Sequence, residues 1–168
     1  MLTPTSELEV LIATALWLIK NGWSVEVISV ATGHGLPPVD QQKKEIRRAF
    51  VADNVTFDEK IFKPRGPDII AGSPDCTWKI ECKGLGNGKA ETHRTNFDRG
   101  VASVMSYFDE SQPRLGLALA NDYLWVYNFS ERLPPALRQA TSLWILLLEN
   151  GTIYPYKPTE ELPFPGVI

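Results

Sequence analysis

Two kinds of apolar spacing alternate along this chain, and their order limits the folds it can adopt. Apolar residues between Leu8 and Ile19 recur at helical spacing, which predicts a helix that ends at Asn21-Gly22. The segment Trp23–Val30 alternates and contains β-branched residues, which predicts a strand. Because helical and strand patterns go on alternating downstream, we predict a mixed α/β domain.

The remaining elements follow from the same rules. We predict a polar helix over Val39–Ala52, a strand over Val55–Phe62, a hairpin of strands Ile69–Ala71 and Thr77–Lys83, a helix over Glu91–Phe108, strands over Leu115–Ala120 and Tyr123–Phe129, a short helix over Pro135–Ala140, and a hairpin over Ser142–Tyr156 that turns at Asn150-Gly151. The proline-rich tail from Lys157 is predicted to be irregular. The length of 168 residues predicts a single domain.

Composition limits the cellular setting more than it identifies a partner. No segment approaches the ~20 consecutive apolar residues that span a bilayer, so no membrane is expected. Two cysteines cannot form a disulfide framework, so a reduced cytoplasmic location is expected. The net charge is -3, yet residues 41–99 carry 12 Lys and Arg against 9 Asp and Glu. Basic charge is therefore concentrated in the stretch that holds the candidate site.

The residues that indicate chemistry are Asp68, Glu81 and Lys83. Successive side chains of a strand face opposite ways, so Glu81 and Lys83 share one face while Ile80 and Cys82 face the core. Asp68 opens the partner strand and can lie beside Glu81. Two carboxylates suit Mg²⁺ or Mn²⁺, which activates a bound water and neutralises charge on a phosphate. With Lys83 to orient or deprotonate the water, or to stabilise the transition state, the set predicts phosphodiester hydrolysis.

Each of these residues also has an ordinary explanation. A Glu and a Lys two positions apart are common on an exposed strand face, and an Asp after a proline is common in turns. A second Pro-Asp pair, Pro74-Asp75, precedes Glu81 by six residues. No apolar run follows Asp75, so we predict that it lies at the tip of the hairpin and that Asp68 belongs to the site.

The pattern Pro67-Asp68 … Glu81-Cys82-Lys83 resembles the PD-(D/E)xK nuclease superfamily, which includes restriction endonucleases, Holliday-junction resolvases and Mrr-like enzymes. The order of elements over residues 5–129 is similar too. The resemblance implies a small Mrr- or resolvase-like member with a restriction-endonuclease-like core, in which helices flank a central mixed sheet in three layers. It also implies that Asp68 and Glu81 hold Mg²⁺, or Mn²⁺, and that Lys83 is catalytic.

Many members of this superfamily add an acidic residue from the first helix, and here Glu7 and Glu9 compete for that role. Glu9 has a structural explanation, because Ser6 and Glu9 have the spacing of a capping box. Glu7 lies on the same side of the helix as the apolar positions Leu11 and Leu18. We therefore prefer Glu7 as the fourth catalytic residue. The alternative is that both carboxylates only complement the helix dipole.

The helix after the motif carries the candidate contacts to nucleic acid. Arg94-Thr95 followed by Gly100 is similar to a branch of the superfamily, although Ser103 stands where that branch has Gln. We expect Lys89, Arg94 and Arg99 to contact phosphates near the start of this helix. The alternative is an ordinary solvated helix face.

Two functions are compatible with these residues. The first is a metal-dependent endonuclease that hydrolyses phosphodiester bonds in DNA, and no sequence feature separates DNA from RNA. The second is a non-catalytic module that keeps the nuclease fold and binds nucleic acid or a protein. A homodimer is also open, with the apolar segment Leu143–Leu148 either at an interface or in a central strand.

Overall fold

The computed structural model of this protein describes residues 5–33, 36–85, 90–122, 125, 128 and 132–163. The helices are α1 (Glu7–Lys20), α2 (Val39–Ala52), α3 (Ala90–Ser106) and α4 (Pro135–Ala140), with a 3₁₀ turn at Glu59–Ile61. The strands are β1 (Ser24–Ser29), β2 (Phe62–Lys63), β3 (Ile69–Ser73), β4 (Cys76–Lys83), β5 (Arg114–Ala120), β6 (Leu143–Glu149) and β7 (Thr152–Tyr156). These strands form one sheet in the order β2-β1-β3-β4-β5-β6-β7.

The sheet is mixed. Strands β4, β5 and β6 run parallel to one another, and β1 runs parallel to β2. The pairs β1–β3, β3–β4 and β6–β7 are antiparallel. Strands β5 and β6 are apolar along most of their length, as expected for parallel strands that are covered on both faces, whereas β4 alternates apolar and polar residues.

Helices cover opposite faces of β4. On one face, Trp17 of α1 packs edge-to-face on Trp78, with 6.2 Å between ring centroids. On the other face, Lys79 donates a hydrogen bond of 3.2 Å to the carbonyl of Tyr107, directly after α3. The predicted three-layer α/β core, with a central mixed sheet between helices, is therefore confirmed.

The first helix begins and ends where the sequence predicts. The Ser6 hydroxyl accepts the N–H of Glu9 at 3.2 Å, and the Glu9 carboxylate accepts the N–H of Ser6 at 2.6 Å, which completes the capping box. Asn21 caps the other end, and Gly22 follows with φ of 83°. Leu11 and Leu18 are buried in the core.

None of the helices in the described ranges is both long enough and apolar enough to cross a membrane.

The strand predicted over Val55–Phe62 is wrong except at its last residue. Phe57 packs edge-to-face on Phe50, with 5.1 Å between ring centroids. The Asp58 carboxylate accepts the N–H of Lys60 at 2.9 Å and caps the 3₁₀ turn. Side-chain packing and a local cap thus hold these residues in a conformation that cannot pair with a neighbouring strand. Only Phe62 and Lys63 pair with β1.

The strand predicted over Tyr123–Phe129 lies largely outside the described residues. Its two described positions, Trp125 and Asn128, are helical, so the prediction is wrong there. Trp125 is fully buried. A short apolar run does not by itself distinguish a strand from a buried helix.

The C-terminal hairpin forms as predicted, with Asn150 and Gly151 both at positive φ in its turn. Its first strand, β6, lies between β5 and β7, so Leu143–Leu148 belongs to a central strand of the sheet. The last strand, β7, forms one edge of the sheet and contains Pro155, whereas the two-residue β2 forms the other edge. The tail that follows is irregular over its described part, to residue 163.

Candidate active site

The candidate site forms where β4 ends. In the hairpin, Ile69 pairs with Ile80, which sets the register of the two strands. Ile80 and Cys82 are fully buried, whereas Glu81 and Lys83 contact each other on the opposite face. The predicted division of β4 into a core face and a site face is confirmed.

Asp68 lies immediately before β3 and takes the place of a ladder partner. Its carboxylate accepts the backbone N–H of Cys82 at 2.7 Å. This bond satisfies a donor of β4 beyond the last paired residue of β3, and it brings the Asp68 carboxylate beside Glu81. Asp75, by contrast, lies exposed at the hairpin tip, at the far end of β4 from the site.

Lys83 joins carboxylates from two elements. Its Nζ atom lies 2.7 Å from Oε1 of Glu81 and 3.5 Å from Oε2 of Glu7. It also donates a hydrogen bond of 3.1 Å to the carbonyl oxygen of Cys82. Glu81 is only 5% exposed, so this ion pair is largely removed from solvent.

Glu7, and not Glu9, reaches the site, because α1 begins directly against the end of β4. The N–H of Leu85 donates to the carbonyl of Thr5 at 2.8 Å. A Cβ atom on Gly84 would lie 2.1 Å from the backbone nitrogen of Glu7, so only glycine permits this approach. The contact holds the first turn of α1, and with it the Glu7 side chain, over Lys83.

Tyr107 is a member of the cluster that the sequence did not indicate. Its hydroxyl donates a short hydrogen bond to Oε2 of Glu81. Both oxygens of Glu81 are therefore engaged, one by Tyr107 and the other by Lys83. The only hint in the sequence is that the predicted helix over Glu91–Phe108 ends near Tyr107, and it does not show which strand that helix crosses.

The stem of Lys83 is packed by α3. A Cβ atom on Gly100 would lie 3.2 Å from Cγ of Lys83, so the glycine lets the helix approach the side chain closely. Two of the predicted nucleic-acid contacts, Arg94 and Arg99, are not brought into this cluster. Arg94 and Arg99 are exposed on α3, and Lys89 lies outside the described residues.

The crowding of acidic groups perturbs their proton affinities. Burial, together with the negative charge of Glu81, raises the pKa of Asp68 to about 7. Burial also raises the pKa of Glu7, although the nearby Lys83 opposes the shift. Burial alone would lower the pKa of Lys83, but the charges of Glu7, Glu81 and Asp68 outweigh it and raise that pKa above its usual value.

The donor set fits a hard divalent cation held by few protein ligands. Among the described residues, no three His, Cys, Asp or Glu side chains converge as a ready-made metal site. Asp68 and Glu81 nonetheless form an adjacent carboxylate pair, and Mg²⁺ is commonly bound through one or two carboxylates with water and substrate phosphate completing its shell. Asp68 and Glu81 are thus the residues that would hold the ion.

A cleft of about 80 Å³, partly open to solvent, lies beside the site. Glu7, Asp68 and Arg65 are its charged lining residues. The other lining residues are Leu8, Leu11, Ser29, Ala31, Leu36, Gln42 and Gly66. Two carboxylates of the site, Glu7 and Asp68, therefore face a small opening between α1, α2 and the loop before β3.

Comparisons with protein-family models, with curated proteins and with solved structures give no match for this chain.

Proposed function

We propose that this protein is a metal-dependent nuclease that hydrolyses phosphodiester bonds in DNA, as a member of the PD-(D/E)xK superfamily. One observation supports the proposal above the others. Asp68, Glu81 and Lys83, which are up to 15 positions apart in the sequence, meet at the end of β4 with Glu7 beside them. A carboxylate pair can hold a metal ion, and an ammonium group beside it can stabilise the negative charge that develops on a phosphate during hydrolysis.

The position of each residue indicates its role. Asp68 and Glu81 would hold Mg²⁺ or Mn²⁺, which when bound supplies an activated water and neutralises charge on the phosphate. Lys83 lies between two carboxylates, which supports a role as a fixed positive charge and hydrogen-bond donor toward the developing negative charge. Glu7 holds the Lys83 ammonium from the side of α1, and Tyr107 holds Glu81 from the side of α3.

The proposal is tested with purified protein, plasmid DNA and labelled single-stranded DNA, in the presence of Mg²⁺, Mn²⁺ or EDTA. We expect cleavage with either metal and none with EDTA, and loss of cleavage in Asp68→Ala and Lys83→Ala. Asp75→Ala is the matched control, because this aspartate also follows a proline but lies at the hairpin tip. Cleavage that survives in Asp68→Ala would falsify the assignment, and an RNA strand in parallel determines which sugar is accepted.

One observation favours a second function, a non-catalytic module that binds nucleic acid or a protein. The Lys83 ammonium lies 2.7 Å from one oxygen of Glu81, so a metal ion has to compete with this ion pair for that oxygen. Thermal unfolding with and without Mn²⁺ separates the two functions. A nuclease site gains stability by binding the ion, and the gain grows with the logarithm of the ion's concentration over its dissociation constant. An unchanged melting temperature at saturating Mn²⁺, combined with tight binding of DNA, would favour the module.

A further inference from the structure

The cleft beside the site contains an arginine with no function assigned so far. Arg65 lies in the cleft wall, three positions before Asp68, and its side chain is exposed. Within the part of the chain that the structure describes, its guanidinium has no hydrogen-bond or ion-pair partner, although Glu7 and Asp68 line the same cleft. Other arginines are engaged in the fold, as Arg47 is by Glu59 and Arg138 by two carbonyl groups.

The loop that carries Arg65 is restrained by two prolines and by hydrogen bonds at both of its ends. Pro64 and Pro67 restrict the backbone on both sides, and Gly66 adopts φ of 110°, which other residues rarely reach. The start of the loop is tied to β1 by a hydrogen bond of 2.8 Å from the N–H of Val30 to the carbonyl of Lys63. The backbone that carries Arg65 is therefore restrained.

The end of the loop is tied to β1 by one residue. The N–H of Ser29 donates to the carbonyl of Asp68 at 2.9 Å, and its hydroxyl donates to the carbonyl of Pro67 at 2.7 Å. The same strand thus fixes the backbone of Asp68 and that of the arginine loop. The position of Arg65 relative to the candidate metal ligand is set by backbone hydrogen bonds.

We propose that Arg65 forms a phosphate subsite in this cleft and holds the phosphate next to the one that is cleaved. The inference rests on the proposed function, since it takes the part of the cleft beside Asp68 as the place of cleavage. A guanidinium suits a phosphate because its fork of donors binds two oxygens at once and is weakly hydrated. A neighbouring phosphate would otherwise meet only the negative charges of Glu7 and Asp68.

The size of the cleft agrees with a phosphate as the occupant. Pockets that enclose whole small molecules measure about 300–1,000 Å³, whereas this cleft measures about 80 Å³. A single phosphate group fits such a space, and a nucleoside does not. The buried side chains of Leu8 and Leu11 close the cleft beneath and offer no hydrogen bond that would compete for the phosphate.

The test measures binding separately from cleavage. Fluorescence anisotropy of a fluorescein-labelled duplex and of a labelled single strand is recorded in EDTA over a series of KCl concentrations, for the wild type, Arg65→Ala, Arg65→Lys and Arg48→Ala. Arg48 is the matched control, since it is an exposed arginine on α2 that does not line the cleft and its removal changes the net charge equally.

For Arg65→Ala we expect affinity to fall about fivefold and the slope of log K against log salt to decrease by about 0.9 on duplex or about 0.7 on a single strand, the value of one phosphate contact. Arg65→Lys restores the slope but only part of the affinity, because an ammonium lacks the fork. In cleavage with Mg²⁺, Arg65→Ala raises KM more than it lowers kcat.

Each other outcome has a defined meaning. Equal losses of affinity in Arg65→Ala and Arg48→Ala overturn the subsite, because they show that only the net charge matters. A slope of log K against log salt in Arg65→Ala that equals the wild-type slope also overturns it. A wild-type protein that binds neither probe overturns the subsite and the nucleic-acid function together. Binding that depends on Arg65 without any metal-dependent cleavage supports a phosphate contact at Arg65 and overturns the nuclease, together with the placement of that phosphate next to a cleaved one.

Discussion

The carboxylate of Asp68 accepts the backbone N–H of Cys82 at 2.7 Å, at the point where the ladder between β3 and β4 ends. The bond fixes the carboxylate beside Glu81 in a largely buried place. Because burial and the neighbouring charge both oppose ionisation, the pKa of Asp68 rises to about 7. Above neutral pH, the ionised carboxylate of Asp68 therefore destabilises the folded, metal-free protein.

We predict that Asp68→Asn stabilises the metal-free protein at pH 8 while it abolishes cleavage. The folded state binds the Asp68 proton up to about pH 7, and the unfolded state releases it near 3.8, the ordinary pKa of an aspartate. The stabilisation from this proton is thus complete below about pH 4 and is lost as the pH rises through 7. Asparagine is neutral throughout and keeps an acceptor for the Cys82 N–H. We expect a gain on the order of 2 kcal/mol at pH 8.

Urea unfolding in EDTA at pH 4 and pH 8 measures this difference. The gain from Asp68→Asn is expected at pH 8 and absent at pH 4. Asp75→Asn makes the same substitution at the exposed hairpin tip, away from the site, and is the matched control. A gain that does not depend on pH would show that the effect comes from packing.

We predict that Tyr107→Phe weakens Mn²⁺ binding about tenfold, in the range found for residues that orient a metal ligand. The hydroxyl fixes one oxygen of Glu81. Burial and the hydrogen bond to Glu81 raise the pKa of Tyr107 above its usual value, so the hydroxyl stays protonated and donates at any working pH. Isothermal titration calorimetry checks the affinity. Tyr154→Phe, at an exposed tyrosine on β7, is the control, and equal affinities in both variants would contradict the role.

We predict that Gly84→Ala destabilises the protein by about 1–3 kcal/mol and lowers cleavage, since its Cβ meets the backbone of α1. Displacement of α1 separates Glu7 from Lys83. Gly72→Ala is the control in the same hairpin, because its Cβ meets only the carboxylate end of the exposed Glu26 side chain, which can move away. Thermal unfolding and a cleavage assay on both variants check the prediction, and comparable losses at the two glycines would argue against a specific contact at Gly84.

We predict that Glu7→Ala and Glu9→Ala separate function from stability. Glu7→Ala should reduce cleavage, because it removes a carboxylate beside Lys83. Glu9→Ala should cost about 1 kcal/mol through loss of the capping box and leave cleavage unchanged. Steady-state kinetics and chemical denaturation of the two variants give both quantities, and reversed effects would assign the helix carboxylate to Glu9.

The central part of the site could be predicted because it depends on strand alternation. The two-residue period places Glu81 and Lys83 on one face whatever the rest of the fold, and a hairpin register brings Asp68 to Glu81. The choice of Glu7 over Glu9 was also open to prediction, since the capping box already accounts for Glu9. These inferences needed only contacts within one element or between neighbouring strands.

The remainder depends on contacts between elements that are distant in the sequence. Tyr107 reaches Glu81 only because α3 crosses β4 at that point. Arg65 lines the cleft beside the site only because β1 holds its loop. Neither arrangement can be predicted from the spacing of residues in the sequence. The wrong strand over Val55–Phe62 has a local origin, because Phe57 packs on Phe50 of the preceding helix α2 and this contact overrides strand preference there.

The two ends of the sheet bear on how copies of this protein can associate. One edge strand has two residues, and the other contains Pro155, which has no N–H to offer a neighbour. Neither edge is a good template for a further strand, so growth of the sheet across molecules is disfavoured and the folded protein should resist aggregation at high concentration. If two copies act together on both strands of a duplex, their side chains must make the contact, and the surface of such a dimer can be altered by substitution without disturbing the sheet.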